Sequence, residues 1–587
     1  MTHFKKGNMS NSASEIIDKV QDLIEKWDIV GLTSELNLPK YQSWLQENAW
    51  DLIPPLVEVA TEDNINQCPQ VVHTCSKLLS DPVAFHGKPK EVIISILEQC
   101  EHSGASIKFR HCLPAIETSL IKLNAKGASL TWPWALHTLI GHVNSLDLPD
   151  LPELDAGNDR LALEHDQAYA ERLKMVEEIA TLLKSLVKKY QSEFEEVCNI
   201  DYALKIKGCI MWSCILLLAR PLAIMNVSVT AKGDSSNAKI ISDELMQILN
   251  HLCFNQLTIV DPNNFCHQFK QTPLEDDNKI HLWAVGIASV FFNHLAFGIS
   301  DIPIPACYEP LFVLNKLLSP ICISLDYQTG TSSEYLRLEK ALILCQALTR
   351  RIPSNTIPSD IMEMPQHSLL LARLYQIIVY HTMSSIRKMA FAVYNIYFDT
   401  FAAAQDSQGR SLKFLVSHAF EKANHSGIIA HAIGKFKNAI LKGFAPDIIG
   451  GELNKLVKKF CHLKNGAETD LLEVNDEIIA SLNLLIALLL RDKQNDIFGL
   501  WDLVPDLTKN YLEPLSQGLS LSRAHFKLKL QEPKSAQVTL MVGGQVLPEM
   551  SPEQKNQVIH SALNTFDMTE LVLCRLNDVI ANANQRK

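Results

Sequence analysis

Among the fourteen cysteines of this chain there is no C-x-x-C pair. The sequence also has no H-E-x-x-H, no G-x-S-x-G, no Walker loop and no G-x-G-x-x-G. Each of those motifs sets ligands, nucleophiles or phosphate-cradling amides at a spacing its chemistry needs, so none of those chemistries has a signal here. Cys266-His267 and Cys461-His462 lack a second ligand pair at zinc-like spacing. His425 and His431 stand six residues apart, which does not put both on one helix face, and they read as surface or capping histidines.

A basic excess is missing too. The formal net charge is −11, whereas a polyanion binder needs a basic face to displace phosphate counterions, so nucleic acid is excluded as a partner class. Lys455, Lys458 and Lys459 form the clearest basic cluster, and their spacing makes them one solvated helix face. The N-terminus, MTHFKKGNMSNSASEIIDKV, has no apolar core and so reads as neither signal peptide nor anchor. Two apolar runs, Cys209 to Met225 and Leu282 to Ile299, are broken by Arg220-Pro221 and Asn293-His294. Both fall short of the roughly 20 apolar residues of a spanning helix and read as buried solenoid helices. The cysteines, scattered from Cys68 to Cys574 and often inside apolar runs, as at Cys214 and Cys345, read as reduced core thiols of a cytoplasmic protein.

What the chain does have is helical periodicity. Hydrophobic residues make up 47% and charged residues 20% of 587, enough for two domains or an extended repeat stack. Stripes such as Leu113, Ile116, Leu120 and Leu123 recur at three- and four-residue steps. Breaks rich in Pro, Gly, Asp, Asn and Ser separate them, at Ser145 to Asp159, Thr230 to Lys239, Asp261 to Lys279 and Arg350 to Pro365. With no strand-helix alternation, the pattern predicts an all-α, irregular HEAT- or armadillo-like α-solenoid, an N-terminal helical domain over residues 1–265 and a C-terminal one over 280–587.

Three C-terminal features are specific. IIASLNLLIALLL, Ile478 to Leu490, has only Ser481 and Asn483 as polar interruptions and predicts a central helix buried on every side. The preceding Glu468 and Asp470 read as helix-start carboxylates. QVTLMVGGQVLP, Gln537 to Pro548, predicts one short β-hairpin turning at Gly543-Gly544, which must pack on helices to persist. After it, Ser551, Pro552 and Gln554 specify the start of a last helix with the stripe Ile559, Leu563, Phe566, Leu573, Leu576 and Ile580. Met568, Leu571 and Val572 fall partly outside that stripe, and spacing alone leaves open whether they form a partner-binding strip or lie under the hairpin.

The blocks NHSG (Asn424 to Gly427), GAETDLL (Gly466 to Leu472), ASLNLL (Ala480 to Leu485), GLW (Gly499 to Trp501) and HSALNTFD (His560 to Asp567) resemble the glomulin family. The resemblance is nearly gap-free from about Asn424 to Ile580 and fades to short echoes such as KPKEVIISILE, Lys88 to Glu98. It implies a HEAT-like protein whose C-terminal domain grips the RING domain of the RING-box subunit in cullin-RING ubiquitin ligases and occludes the surface that recruits the ubiquitin-conjugating enzyme. Inhibition would then be steric and non-enzymatic, with no cofactor, and the family adds an immunophilin as a further partner. Carried onto this chain, the contact residues are Met568, Leu571, Val572 and Arg575 in the last helix with Arg523 and His525 before it. The chain ends at Lys587 without the longer polar tail of vertebrate members, so contacts of that tail are not carried over. Two readings from other classes stand beside this one: a trafficking or transport adaptor using a concave face, and an enzyme whose groups assemble only in the fold.

Overall fold

The computed structural model describes residues 9–101, 106–145, 165–195, 199–229, 233–297, 307–327, 335–354, 356–401, 409–443, 451–492, 498–531, 541–542, 545–546 and 552–584. The architecture is an all-α solenoid in which helices pack on those before and after them in sequence. The apolar stripes supply the packing faces: in Ser106–Ile121, Leu113, Ile116 and Leu120 are buried, and Leu123 is buried just beyond the helix end. The polar breaks supply the caps. Asp261 and Asp276 each accept a backbone N–H two residues on, from Asn263 and Asn278, both at 2.9 Å, and Ser236 accepts from Lys239 N–H at 3.2 Å. Ser145 closes its helix, while the rest of the expected break to Asp159 lies outside the described residues.

The chain divides into two compact units, Met1–Ala347 and Leu348–Lys587. The boundary suggested by the sequence between residues 265 and 280 lies inside the first of these. The physical reason is the pairing of helix Ile200–Ala219 with helix Asp277–Ala296, which carries the core straight across that polar break. Gly286 makes the pairing close, since a Cβ there would stand 2.4 Å from the carbonyl oxygen of Ile215. These two helices are the apolar runs of the sequence. Ile200–Ile224 is long and apolar enough to cross a membrane by length and composition. In the fold its residues Ile210, Cys214, Ile215 and Leu218 are buried beneath Ala125–Ser145, Asn237–Leu252 and Asp277–Ala296. Past its end, the ammonium of buried Lys340 donates to the carbonyls of Leu222 (2.6 Å), Ala223 (2.9 Å) and Met225 (2.7 Å), so the exit turn leaves none of these acceptors unpaired.

In the second unit, Pro365–Tyr380 packs on Ser384–Phe401, and an aromatic and histidine cluster fills the space between them and the following helices. His367 Nδ1 is bonded to the Tyr397 hydroxyl, and His418 Nε2 to Ser368 Oγ at 2.8 Å. His431 packs on Phe391 and Tyr394 with ring centroids 4.9 and 5.7 Å away. It is half-buried and not an open surface residue, because helix Ser426–Leu441 turns that position toward the aromatic helix; His425, just before the start of the same helix, is exposed. Of the expected hairpin, Met541–Val542 and Gln545–Val546 pair antiparallel, and the remaining residues between Gln537 and Pro548 lie outside the described ones.

Two outcomes follow from this packing. Gly286→Ala should lower stability by about 2 kcal/mol, because backbone cannot yield to the new Cβ as a side chain would, even though Ala gains about 1 kcal/mol of helix propensity. Thermal unfolding measures it, and an unchanged or higher midpoint would refute the close approach. The histidines set a pH dependence. Burial pushes His367 and His431 down to about 4 and lowers His418. Unfolded histidine protonates near 6.5, so between 6.5 and about 4 the unfolded chain binds more protons than the folded one. The stabilisation is complete above 6.5 and is lost as the pH falls, at up to about 1.4 kcal/mol per pH unit for each histidine. Urea midpoints should drop between pH 7.5 and 5.5, and equal midpoints would mean that the rings are hydrated in the folded state.

Candidate partner-binding surface

Helix Asn475–Asp492 organises the end of the chain. Ile478, Leu482, Leu484, Leu485, Leu488 and Leu489 are buried, and Leu490 at its far end is exposed. Its few polar groups are each tied to a different element. Glu477 N–H donates to Ser426 Oγ at 3.0 Å, Ser481 Oγ donates to the Phe460 carbonyl at 2.9 Å, and Asn475 Oδ1 accepts from Thr569 Oγ1 at 2.6 Å. Burial pushes the Glu477 carboxyl up to about 7. Just upstream, Asp470 accepts from Leu472 N–H at 3.0 Å, the capping role its position suggested; Glu468 is exposed.

The terminal helix Pro552–Asn584 packs on this one, and helix Glu513–Gln531 packs in turn on the terminal helix. Gly518 sets Glu513–Gln531 against the turn Gly466–Glu468, where a Cβ would come within 2.9 Å of the Ala467 carbonyl. On the terminal helix, Ile559, Phe566, Leu573 and Leu576 are buried as the stripe requires, joined by Ala562 and Thr569; Leu563 and Ile580 are half-buried. Phe566 and Phe526 meet edge to face with centroids 5.6 Å apart. Beside that contact, Arg523 donates to Asp567 at 2.8 Å and to Glu570 at 2.6 Å. These carboxylates, Glu570 first, hold the guanidinium more firmly protonated than usual.

The six contact residues proposed from the sequence separate into groups. Met568, Leu571 and Arg575 recur at i, i+3 and i+7 on the side of the terminal helix away from its buried stripe; Met568 is 58% and Leu571 65% exposed, and Arg575 is exposed as well. Val572 sits on the flank, half-buried. Arg523 is not an open anchor, because Asp567 and Glu570 occupy it and its side chain is only 20% exposed. His525 is exposed on the neighbouring helix, and it has company there that the sequence reading passed over. Leu521 and Leu528 are 59% and 63% exposed and bracket His525 at i, i+4 and i+7. Their spacing opposite the buried Leu515, Leu519 and Phe526 was the available signal.

The basic cluster takes the solvated-face role expected of it. Lys455 pairs with Glu452 at 2.9 Å, Lys458 with Asp506 at 2.8 Å and Lys459 with Glu421 at 3.3 Å. No group of His, Cys, Asp or Glu with metal-site geometry occurs among the described residues.

The Arg523 clamp is directly testable. Arg523→Ala should destabilise by about 1 kcal/mol, since the pairs are partly exposed yet shared between two carboxylates. A double-mutant cycle with Glu570→Ala reads the coupling, and a coupling near zero would show that the clamp adds nothing beyond the packing of Phe526 on Phe566.

No family model matches the chain. It is 26% identical to glomulin of Homo sapiens over 557 aligned residues, covering 91% of this chain and 88% of that protein. It is 27% identical to glomulin of Mus musculus over 595 aligned positions, covering 95% and 92%. Among solved structures, a circular tandem repeat protein with novel repeat topology aligns over 98% of this chain and 97% of its own at 11% identity, with a TM-score of 0.21 that carries no weight. The two relatives are matched over about nine tenths of their own lengths, far beyond the C-terminal blocks where the resemblance is densest, and the chain is a glomulin-like protein.

Proposed function

We propose that the chain is a cytoplasmic, non-enzymatic inhibitor of cullin-RING ubiquitin ligases. It binds the RING domain of the RING-box subunit, and the cullin through it, and blocks recruitment of the ubiquitin-conjugating enzyme. The observation that carries this reading is the near full-length likeness to glomulins, joined to an outward strip on the terminal helix with the composition such a contact needs. A RING offers conjugating enzymes a shallow apolar groove, and a competitor requires a few apolar and arginine anchors inside a polar rim. Met568, Leu571 and Arg575 make one such row, and Leu521, His525 and Leu528 on the adjacent helix make a second. Arg523 acts indirectly, by holding the two helices together. An immunophilin is proposed as a further partner on the family likeness alone.

The mechanism asks only for occupancy. A rigid helix face loses little conformational entropy on docking, and its bulk excludes the conjugating enzyme without any chemical step. Titration of the purified chain into a reconstituted cullin-RING ubiquitylation reaction should suppress chain formation. A Leu571→Asp/Arg575→Glu variant should need a concentration at least about tenfold higher, with unchanged thermal stability because both positions are exposed. Equal inhibition by the variant would move the contact off the terminal helix. No inhibition and no RING binding by the wild type would reject the ligase reading in favour of an adaptor.

A further inference from the structure

A cavity of about 560 Å³ opens in the first unit between helix Asp277–Ala296, helix Pro310–Ser324 and the segment from Leu257 to Gln268. That volume falls within the range of sites that hold ligands. Its floor is apolar and firmly built. Trp283 and Val260 are buried there, and the indole N–H is already spent on the Val260 carbonyl at 3.3 Å. Tyr308 and Phe312 stack as one wall with centroids 5.2 Å apart, and Tyr308 is fixed by an Asn255 amide hydrogen bond at 3.0 Å. Phe312 is nevertheless 41% exposed, and Phe254, next to Asn255, is 84% exposed. The aromatic surface thus extends past the mouth, further than a ligand confined to the cavity could cover.

The polar rim narrows the choice. Asp261 also lines the cavity, but its carboxylate is engaged in capping helix Pro262–Gln268. Among the described lining residues, Lys316 is the only one with a cationic side chain. Its ammonium lies 5.7 Å from the Phe312 centroid, and no ion pair among the described residues holds it. Asn264 and Gln268 are exposed on the opposite rim and offer amide donors and acceptors of the kind that pair with a peptide backbone.

We propose that this cavity is a binding site for an extended peptide segment of a partner protein, one that places a large apolar side chain on the Trp283 floor and a carboxylate against Lys316. Main-chain groups of the segment meet the Asn264 and Gln268 amides, and its flanks cover Phe312 and Phe254. The site is separate from the ligase surface, because every lining residue belongs to the Met1–Ala347 unit.

The test is selection of a random-peptide phage library on the full chain, followed by fluorescence anisotropy with the synthesised binders. Selected sequences should share a large apolar residue beside Asp, Glu or a free C-terminus. Ser319→Trp, at an exposed lining position, should weaken binding at least about tenfold by filling the cavity. Lys316→Glu should weaken it about tenfold and be rescued by exchanging the peptide's acidic residue for Lys. Leu571→Asp/Arg575→Glu should leave it unchanged, which separates this site from the ligase reading. The proposal is overturned if no common sequence emerges, or if the binders hold Ser319→Trp and Lys316→Glu as tightly as the wild type, with circular dichroism confirming that both variants fold.

Discussion

Burial of helix Asn475–Asp492 is the constraint on which the C-terminal unit depends. An apolar helix covered on most of its circumference must have neighbours on several sides at once. Ser426–Leu441, Gly451–Phe460 and the terminal helix supply them, each tied by one hydrogen bond to a polar group that the buried helix would otherwise leave unsatisfied. The short blocks that distinguish this part of the sequence sit at those junctions. NHSG supplies the Ser426 hydroxyl, GAETDLL forms the turn onto which Gly518 packs, and HSALNTFD carries Phe566 and Asp567 to the neighbouring helix.

The same logic governs the first unit with different means. There the close element is Gly286 against the Ile215 backbone, and the buried charge of Lys340 is matched by three carbonyls at the exit of the partner helix. A buried ammonium adds little net stability when fully paired, but it fixes the geometry of the turn it closes, because a displaced carbonyl would leave it uncompensated. The two apolar runs that read as buried solenoid helices are interior by this packing, including Ile200–Ile224, which is long and apolar enough to cross a membrane.

The outward faces of the last two helices differ from those buried surfaces in a way that suits the proposed occlusion of a RING domain. Their large apolar side chains are spaced in rows by helical geometry while the opposite stripes are buried or half-buried, so the exposed rows lie outside the packing of the described residues. The charges beside them are not idle either. Arg523 is bound across the helix pair, which stiffens the platform, while Arg575 stands exposed on the terminal helix.

By itself the sequence determined the helical class, the caps at Asp261 and Asp276, most of the stripe of the terminal helix and the apolar interior face of Ile478 to Leu489, because all of these follow from local periodicity and from side chains bonding their own backbone. Likeness in the C-terminal blocks also indicated the family. It did not determine that residues 265–280 lie within one unit, that Arg523 is occupied, that His431 packs against Phe391 and Tyr394, that Leu521 and Leu528 are exposed, or that Trp283 floors a cavity. Each of those depends on which distant helix comes alongside. Contacts between residues far apart in sequence, such as Gly286 with Ile215 or Arg523 with Glu570, leave no periodic trace, and only the tertiary structure decides them.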